Sequence, residues 1–414
     1  MTAAPPGSRL TPLEIASGLV LGTEPADASG SIEPQAPLAV LEAAVLPALE
    51  RPPCLVSFSG GRDSSSVLAL AVTIARREGL RPPVPVTLRF PGIEEADETE
   101  WQERVVAYLR LDDWLRHEPG DDLDAIGPVA TRVLERHGLL WPFNTYVHAP
   151  LLEDARGGSL LTGVGGDELF ERAASDRVSA LLARRARPKP RDILRVGLAA
   201  APWRVRRRVL ERRSPLRLTW LRPVAQRALA REWATEAAHE PRRLGRRAAW
   251  WPRQRTLRVA VRSLGTLAAE EDVHIAHPLT APGLAAAILR DREFAFADRK
   301  GRLRGVFGGL LPDELYARRS KASFNRAFFG AHARAFVEAW DGQGVDAEFV
   351  DVDALRAVWH EEIPDGRSYL LLQSVWLEHV HRVTAATRGG ASPTPPATTS
   401  HEDVAARTPA ERQA

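Results

Sequence analysis

The chain has 414 residues, 44% of them hydrophobic, and a formal charge of +3 from 56 basic and 53 acidic side chains. That size and composition suit one large α/β domain or two ordinary ones with a sizeable core, and no uncharged apolar run reaches the roughly eighteen residues of a membrane span. A single cysteine, Cys54, excludes an internal disulfide and a cysteine-rich zinc site.

Residues 1–36, rich in Pro, Ala and Gly, read as an irregular leader with a short helix near Leu13 to Leu19. Met1 to Arg9 lacks a basic stretch followed by a long apolar one, which argues against export, and the lone cysteine fits a reducing cytoplasm. Pro37 to Leu49 can form a helix. Pro52 and Pro53 then separate it from an apolar strand at Leu55 to Phe58. A second strand is expected at Val84 to Phe90, followed by helices over Glu98 to Leu109 and Leu123 to His137. The segment Pro150 to Ala155 precedes another strand at Ser159 to Thr162. This alternation predicts a parallel α/β core, mainly residues 50–170. From about Leu169 the pattern turns helical, predicting a substantial C-terminal helical region over 171–385. Residues 386–414 lack hydrophobic periodicity and are expected to be disordered.

Charge is unevenly spread. Arg184 to Arg213 holds twelve basic residues against Asp192 and Glu211, a net +10. Such a block can attract a polyanion, but no zinc finger or aromatic RNA-binding strand accompanies it, so a nucleic-acid partner is not expected. Only Lys189, Lys300 and Lys321 are lysines, against 53 arginines. A retained lysine marks a position where a compact ammonium matters.

Two loops carry the chemistry. In Ser59-Gly60-Gly61-Arg62-Asp63-Ser64-Ser65 an apolar strand breaks into a glycine pair and then opens the helix bearing Val67, Leu68, Leu70, Ala71 and Ile74. The glycines permit a tight turn and close phosphate approach. The first helical amides and the hydroxyls of Ser59, Ser64 and Ser65 can surround pyrophosphate oxygens. Asp63 beside phosphate calls for a cation, and magnesium favours this oxygen donor set. The loop lacks the Gly-Lys-Ser/Thr tail of a Walker A motif and the glycine spacing of a Rossmann fingerprint. A grip on pyrophosphate suits attack at the α-phosphorus of ATP. The second loop, Thr162-Gly163-Val164-Gly165-Gly166-Asp167-Glu168-Leu169-Phe170, again runs from strand through glycines into acids. With the two strands adjacent, Gly163 and Gly165 would face the nucleotide and Asp167 could share the magnesium with Asp63.

Together these motifs resemble the synthetase domain of asparagine synthetases, within the ATP-pyrophosphatase (PP-loop) group that also holds β-lactam synthetases and lasso-peptide cyclases. The resemblance continues through Lys300-Gly301-Arg302-Leu303-Arg304, Leu311-Pro312 and Arg318-Arg319-Ser320-Lys321-Ala322-Ser323-Phe324, and covers roughly residues 37–385. It implies adenylation of a small-molecule or peptide carboxylate followed by attack of ammonia or an amine. By similarity Asp63 and Asp167 bind Mg2+, Ser59, Gly61 and Ser65 hold the ATP phosphates, and Lys321 stabilises charge at the α-phosphate.

The sequence also departs from the family. Residue 2 is Thr2, not the cysteine nucleophile of a glutamine amidotransferase domain, and too few residues precede the phosphate loop to form one. Ammonia is therefore expected free or from a separate glutaminase. Val164 stands where relatives carry glutamate or tyrosine, and the family's Arg-x-Pro-Phe-Leu-Asp segment reads Ala276-His277-Pro278-Leu279-Thr280-Ala281. These changes point away from an ordinary aspartate pocket and towards specialised metabolite or peptide chemistry. Asparagine synthesis with supplied ammonia and a catalytically silent scaffold are the alternatives. His274 and His277 are candidate replacement polar groups, and Trp141-Pro142-Phe143-Asn144 candidate walls of the acceptor pocket.

Overall fold

Leu55 and Val56 on one strand, and Leu160 and Leu161 on another, send successive side chains to opposite faces of a sheet, and each face is covered by its own hydrophobic cluster. The computed structural model describes residues 9–25, 35–171, 176–291, 296–317 and 322–389. The expectations placed on Lys321 and on the tail beyond 389 lie outside the described residues.

Five strands form the sheet: β1 (Cys54–Ser57), β2 (Val84–Leu88), β3 (Leu115–His117), β4 (Ser159–Leu161) and β5 (His274–Ala276). Their order is β3-β2-β1-β4-β5, and every neighbouring pair is parallel. Leu55 pairs with Val84 on one side and Leu160 on the other, so β1 is central. One face packs Leu55, Val86 and Leu160 with Tyr146, Leu151, Trp359 and Tyr369. The other packs Val56, Phe58 and Leu161 with Val67, Leu68, Leu70 and Phe307. A parallel sheet covered on both faces explains why its central strands β1 and β4 are buried along nearly their whole length, without polar alternation.

The expected α/β core with its helical C-terminal region is present. The helix Pro37–Leu49 has the expected bounds, and Thr99–Leu109 begins one residue late. The segment Leu123 to His137 divides: a 3-10 turn ends at Leu123, and the helix starts at Pro128, whose ring suits a first helical position. Strands β3 and β5 were not anticipated. Each is three residues long, and neither carries the buried run that marks β1.

Residues 9–25 are tied to the helical region. Thr11 and Glu14 form a reciprocal capping box around the helix Pro12–Ser17. Trp220, 1% exposed, donates its indole Nε1–H to the Ala16 carbonyl at 2.8 Å. Arg255 pairs with Glu14 at 2.9 Å and Arg262 with Glu24 at 2.5 Å. No helix among the described residues is long and apolar enough to cross a membrane.

Candidate active site

Because all strands are parallel, the loops after β1, β4 and β5 emerge at one edge. The chain leaves β1 for β2 on one side and returns to β4 on the other, which opens a crevice where the strand order reverses. The end of β1 is anchored: Thr87 Oγ1 donates to the Phe58 carbonyl at 2.7 Å and itself accepts from Trp114 Nε1 at 3.0 Å.

Gly60 adopts φ +81°, and a methyl there would meet Gln102 Cγ at 2.8 Å, so the turn requires glycine. Gln102 Nε2 holds the Ser59 carbonyl at 3.2 Å. The Ser59 and Ser64 hydroxyls lie 3.1 Å apart, the Gly61 amide donates to Ser59 Oγ at 3.3 Å, and Ser64 Oγ donates to the Gly61 carbonyl at 3.2 Å. These two serines brace the loop. Ser65 Oγ is buried without a hydrogen-bond partner. Gly61 caps the helix Arg62–Arg77 with extended backbone and no side-chain bond, leaving its first amides directed at the crevice.

The second loop touches the first. A methyl on Gly163 would lie 3.1 Å from the Ser64 amide, and one on Gly166 only 2.4 Å from Asp63 Cγ. Gly165, at φ +91°, leaves room for the Thr280 methyl, which a Cβ would meet at 2.6 Å. Asp63 and Asp167 therefore converge, as their motifs anticipated. What the motifs did not anticipate is the group between them: Arg299 Nη2 lies 2.5 Å from Asp63 Oδ2 and 2.9 Å from Asp167 Oδ1. Asp63 Oδ1 is buried without a hydrogen-bond partner. Burial pushes the Asp63 carboxyl up to about 6, with Arg299 opposing the shift and Asp167 reinforcing it.

A cavity of about 470 Å³ lies over these groups, lined by Ser59, Gly61, Asp63, Gly163, Asp167 and Arg299 among others. Ala322, next in sequence to Lys321, also lines it. A second cavity of about 330 Å³ shares Asp63, Asn144, His148, Gly163, Val164 and Asp167 with the first and extends to Trp141 and Pro142. Of the expected acceptor wall, Trp141, Pro142 and Asn144 line this space, whereas Phe143 packs edge-on against Phe328 and Tyr369.

The two candidate histidines separate. His274 begins β5 at the end away from the crevice and is exposed. His277 follows β5 at the crevice, where Nδ1 lies 2.6 Å from Thr162 Oγ1. Burial lowers the His277 imidazole to about 4, helped by His148, and burial lowers His148 to about 4 as well. Both are thus neutral near pH 7. A carbonyl only accepts, so the 3.3 Å contact of His148 Nδ1 with the Thr145 oxygen places the proton on Nδ1 and the lone pair on Nε2. Sequence reasoning passed over His148 because it belongs to no motif, and Arg299 because one arginine among 53 carries no contrast.

The donor set suits a phosphate-bound cation. A buried carboxylate oxygen and a buried serine hydroxyl lack partners, and the space between the two acids already holds positive charge. Among the described residues no group of three or more His, Cys, Asp or Glu side chains could hold a metal alone, so phosphate oxygens and water would complete the shell.

A serine- and glycine-rich loop after the central strand of a parallel sheet, facing a second acidic loop at the switch point, defines an α/β protein with a PP-loop-like core. The family model for asparagine synthase matches residues 38–382, and the chain belongs to that family. No curated protein matches it. Membership makes it a ligase-type enzyme of asparagine-synthase-like, ATP-dependent amidation, in a family that uses ATP and typically Mg2+.

Proposed function

We propose that the chain adenylates a carboxylate with ATP, releases pyrophosphate, and passes the acyl group to an amine or ammonia with release of AMP. The observation that carries this reading is the meeting of Asp63, Asp167 and the Ser59–Ser65 loop at the floor of one cavity that continues into a second. The loop amides and Ser65 would hold the β- and γ-phosphates. Asp63 and Asp167 would hold magnesium, whose contribution is to neutralise phosphate charge. Lys321 would stabilise charge gathering at the α-phosphate as the carboxylate oxygen attacks.

In the second step the amine nitrogen bonds to the acyl carbon, the bond from that carbon to the AMP oxygen breaks, and a nitrogen-bound proton must leave. His148 lines both cavities as a neutral base with its lone pair on Nε2, and accepts that proton in this reading. Val164 between the cavities offers no polar atom to a substrate's charged head group, which favours a carboxylate other than aspartate, in a specialised metabolite or a peptide. Ammonia, where used, would come free or from a partner glutaminase.

Exchange of labelled pyrophosphate into ATP, screened over free amino acids, hydroxy acids and peptides, tests the first step. Exchange that depends on both Mg2+ and one carboxylate class is expected. AMPCPP binding without exchange for any carboxylate would favour a silent nucleotide-binding protein, and exchange with aspartate alone would restore asparagine synthesis.

A further inference from the structure

Among the described residues Arg299 brings a guanidinium into contact with both candidate metal acids, and its geometry is that of a cation held in trust. A single nitrogen, Nη2, serves Asp63 at 2.5 Å and Asp167 at 2.9 Å, while Nη1 stands 3.6 Å from Glu171 Oε1, beyond hydrogen-bond reach. The side chain is 15% exposed, yet its Nε and Nη1 make no hydrogen bond. A guanidinium has five N–H donors, so most of its capacity is unspent at the wall of the phosphate cavity.

Its mounting separates a fixed base from a free arm. Arg299 opens the helix Arg299–Phe307, which Asp298 caps by accepting from the Gly301 amide at 2.8 Å. One turn on, Arg302 is 2% exposed and anchored to Asp176 at 2.7 Å and to the Glu171 carbonyl at 2.8 Å. The helix start is thereby held while the long Arg299 side chain keeps its rotatable bonds. Two carboxylates crowded into one site repel, and the guanidinium relieves that repulsion. A divalent cation between the same two oxygens would meet the guanidinium at contact distance, so the two cannot share the position.

We propose that Arg299 is an exchangeable internal counter-ion and a positioning residue: it holds Asp63 and Asp167 together in the nucleotide-free protein, yields their oxygens to the metal, and moves onto the polyphosphate that arrives with it. This rests on reading the cavity as the ATP site. Free metal must then compete against a tethered cation with nowhere to go, whereas the metal–nucleotide complex brings the anion that receives it. Metal and nucleotide consequently bind with positive coupling.

Calorimetric titration of the full chain with MnCl2 alone, and with AMPCPP in the presence of MgCl2, tests the exchange in wild type, Arg299→Gln and Arg299→Lys. Arg299→Gln is expected to bind free Mn2+ about tenfold more tightly than wild type and AMPCPP about tenfold more weakly, within the usual range for coupled binding events. Arg299→Lys keeps the charge without the planar fork; free Mn2+ affinity should stay near wild type while AMPCPP affinity falls. That comparison stands even if the glutamine variant does not fold. Free Mn2+ affinity unchanged or lower in Arg299→Gln would overturn the counter-ion, and so would a lysine variant that gains it. Unchanged AMPCPP affinity in both variants would overturn the handover to phosphate. Wild type that binds no AMPCPP, while Arg299→Gln still gains Mn2+ affinity, would sink the ATP reading and the handover together and leave the counter-ion role standing.

Discussion

The crevice at the sheet edge and the arginine-rich helices between residues 190 and 212 use charge in opposite ways. In the crevice a few polar groups are fixed by residues far apart in sequence: Asp63, Asp167 and Arg299 meet through ion pairs of 2.5 and 2.9 Å. The helices Pro190–Ala200 and Trp203–Arg212 carry far more charge, but Asp192 is the only buried residue of the first and the second has none. Even Ile193 and Leu194 lie open to solvent. Charge density in a sequence therefore does not by itself mark a site; here the site is where acids from two distant loops and a basic side chain converge at the wall of a cavity.

Breaking the crevice at its centre should have the largest effect. Asp63→Asn is expected to lower pyrophosphate release on the order of 10³-fold, the upper size for losing one charge-stabilising group in an active site, read by a coupled pyrophosphate assay. Behind the loop, Leu55→Ala removes a side chain 2% exposed at the sheet's centre, and urea unfolding should show a loss of about 3 kcal/mol. Gly166→Ala forces a methyl to within 2.4 Å of Asp63 Cγ. Overpacking there should cost about 2 kcal/mol, with AMPCPP affinity reduced beyond what the stability loss explains; unchanged affinity would show that the two loops need not touch. Against these, Ile193→Ser on the arginine-rich surface should shift stability by no more than about 0.5 kcal/mol. A larger loss there would erase the contrast between the two regions.

Proton linkage sharpens the same contrast from inside the crevice. His148 and His277 are both depressed to about 4 by burial, so the unfolded chain binds more protons between about pH 6.5 and 4 and their contribution to stability is lost as pH falls through that window. Asp63 works the other way: its carboxyl is raised to about 6, so the folded chain binds more protons and gains stability as pH falls from about 6 towards 4. Thermal melting should accordingly fall less steeply on acidification in His277→Gln than in wild type, and more steeply in Asp63→Asn. Parallel slopes in all three would mean that these groups are solvated alike in both states.

Local chemistry made much of this legible in the sequence. The glycine pair at Gly60 and Gly61 and the run from Gly163 to Asp167 each state a turn, a helix start and an acid within a few residues, and the apolar runs of β1 and β4 stand directly before them. What stayed hidden was set by distance along the chain. Arg299 acquires its role only by reaching residues 63 and 167, and His277 only by meeting Thr162. The three-residue strands β3 and β5 take their identity from the neighbours that pair with them. His274 and His277 looked equivalent in sequence; three residues of strand put them at opposite ends of the sheet.

Cys54 opens the central strand, buried, with its thiol pushed up to about 11 by burial. A thiol in that state reacts only after the strand opens. The chain thus carries its own clock: the rate at which a thiol reagent captures the single cysteine reports how often the strand beneath the phosphate loop comes apart. A ligand that ties the loops of β1 and β4 together should slow that clock in proportion to its affinity, so nucleotide and metal can be ranked by one native side chain with no substrate in hand.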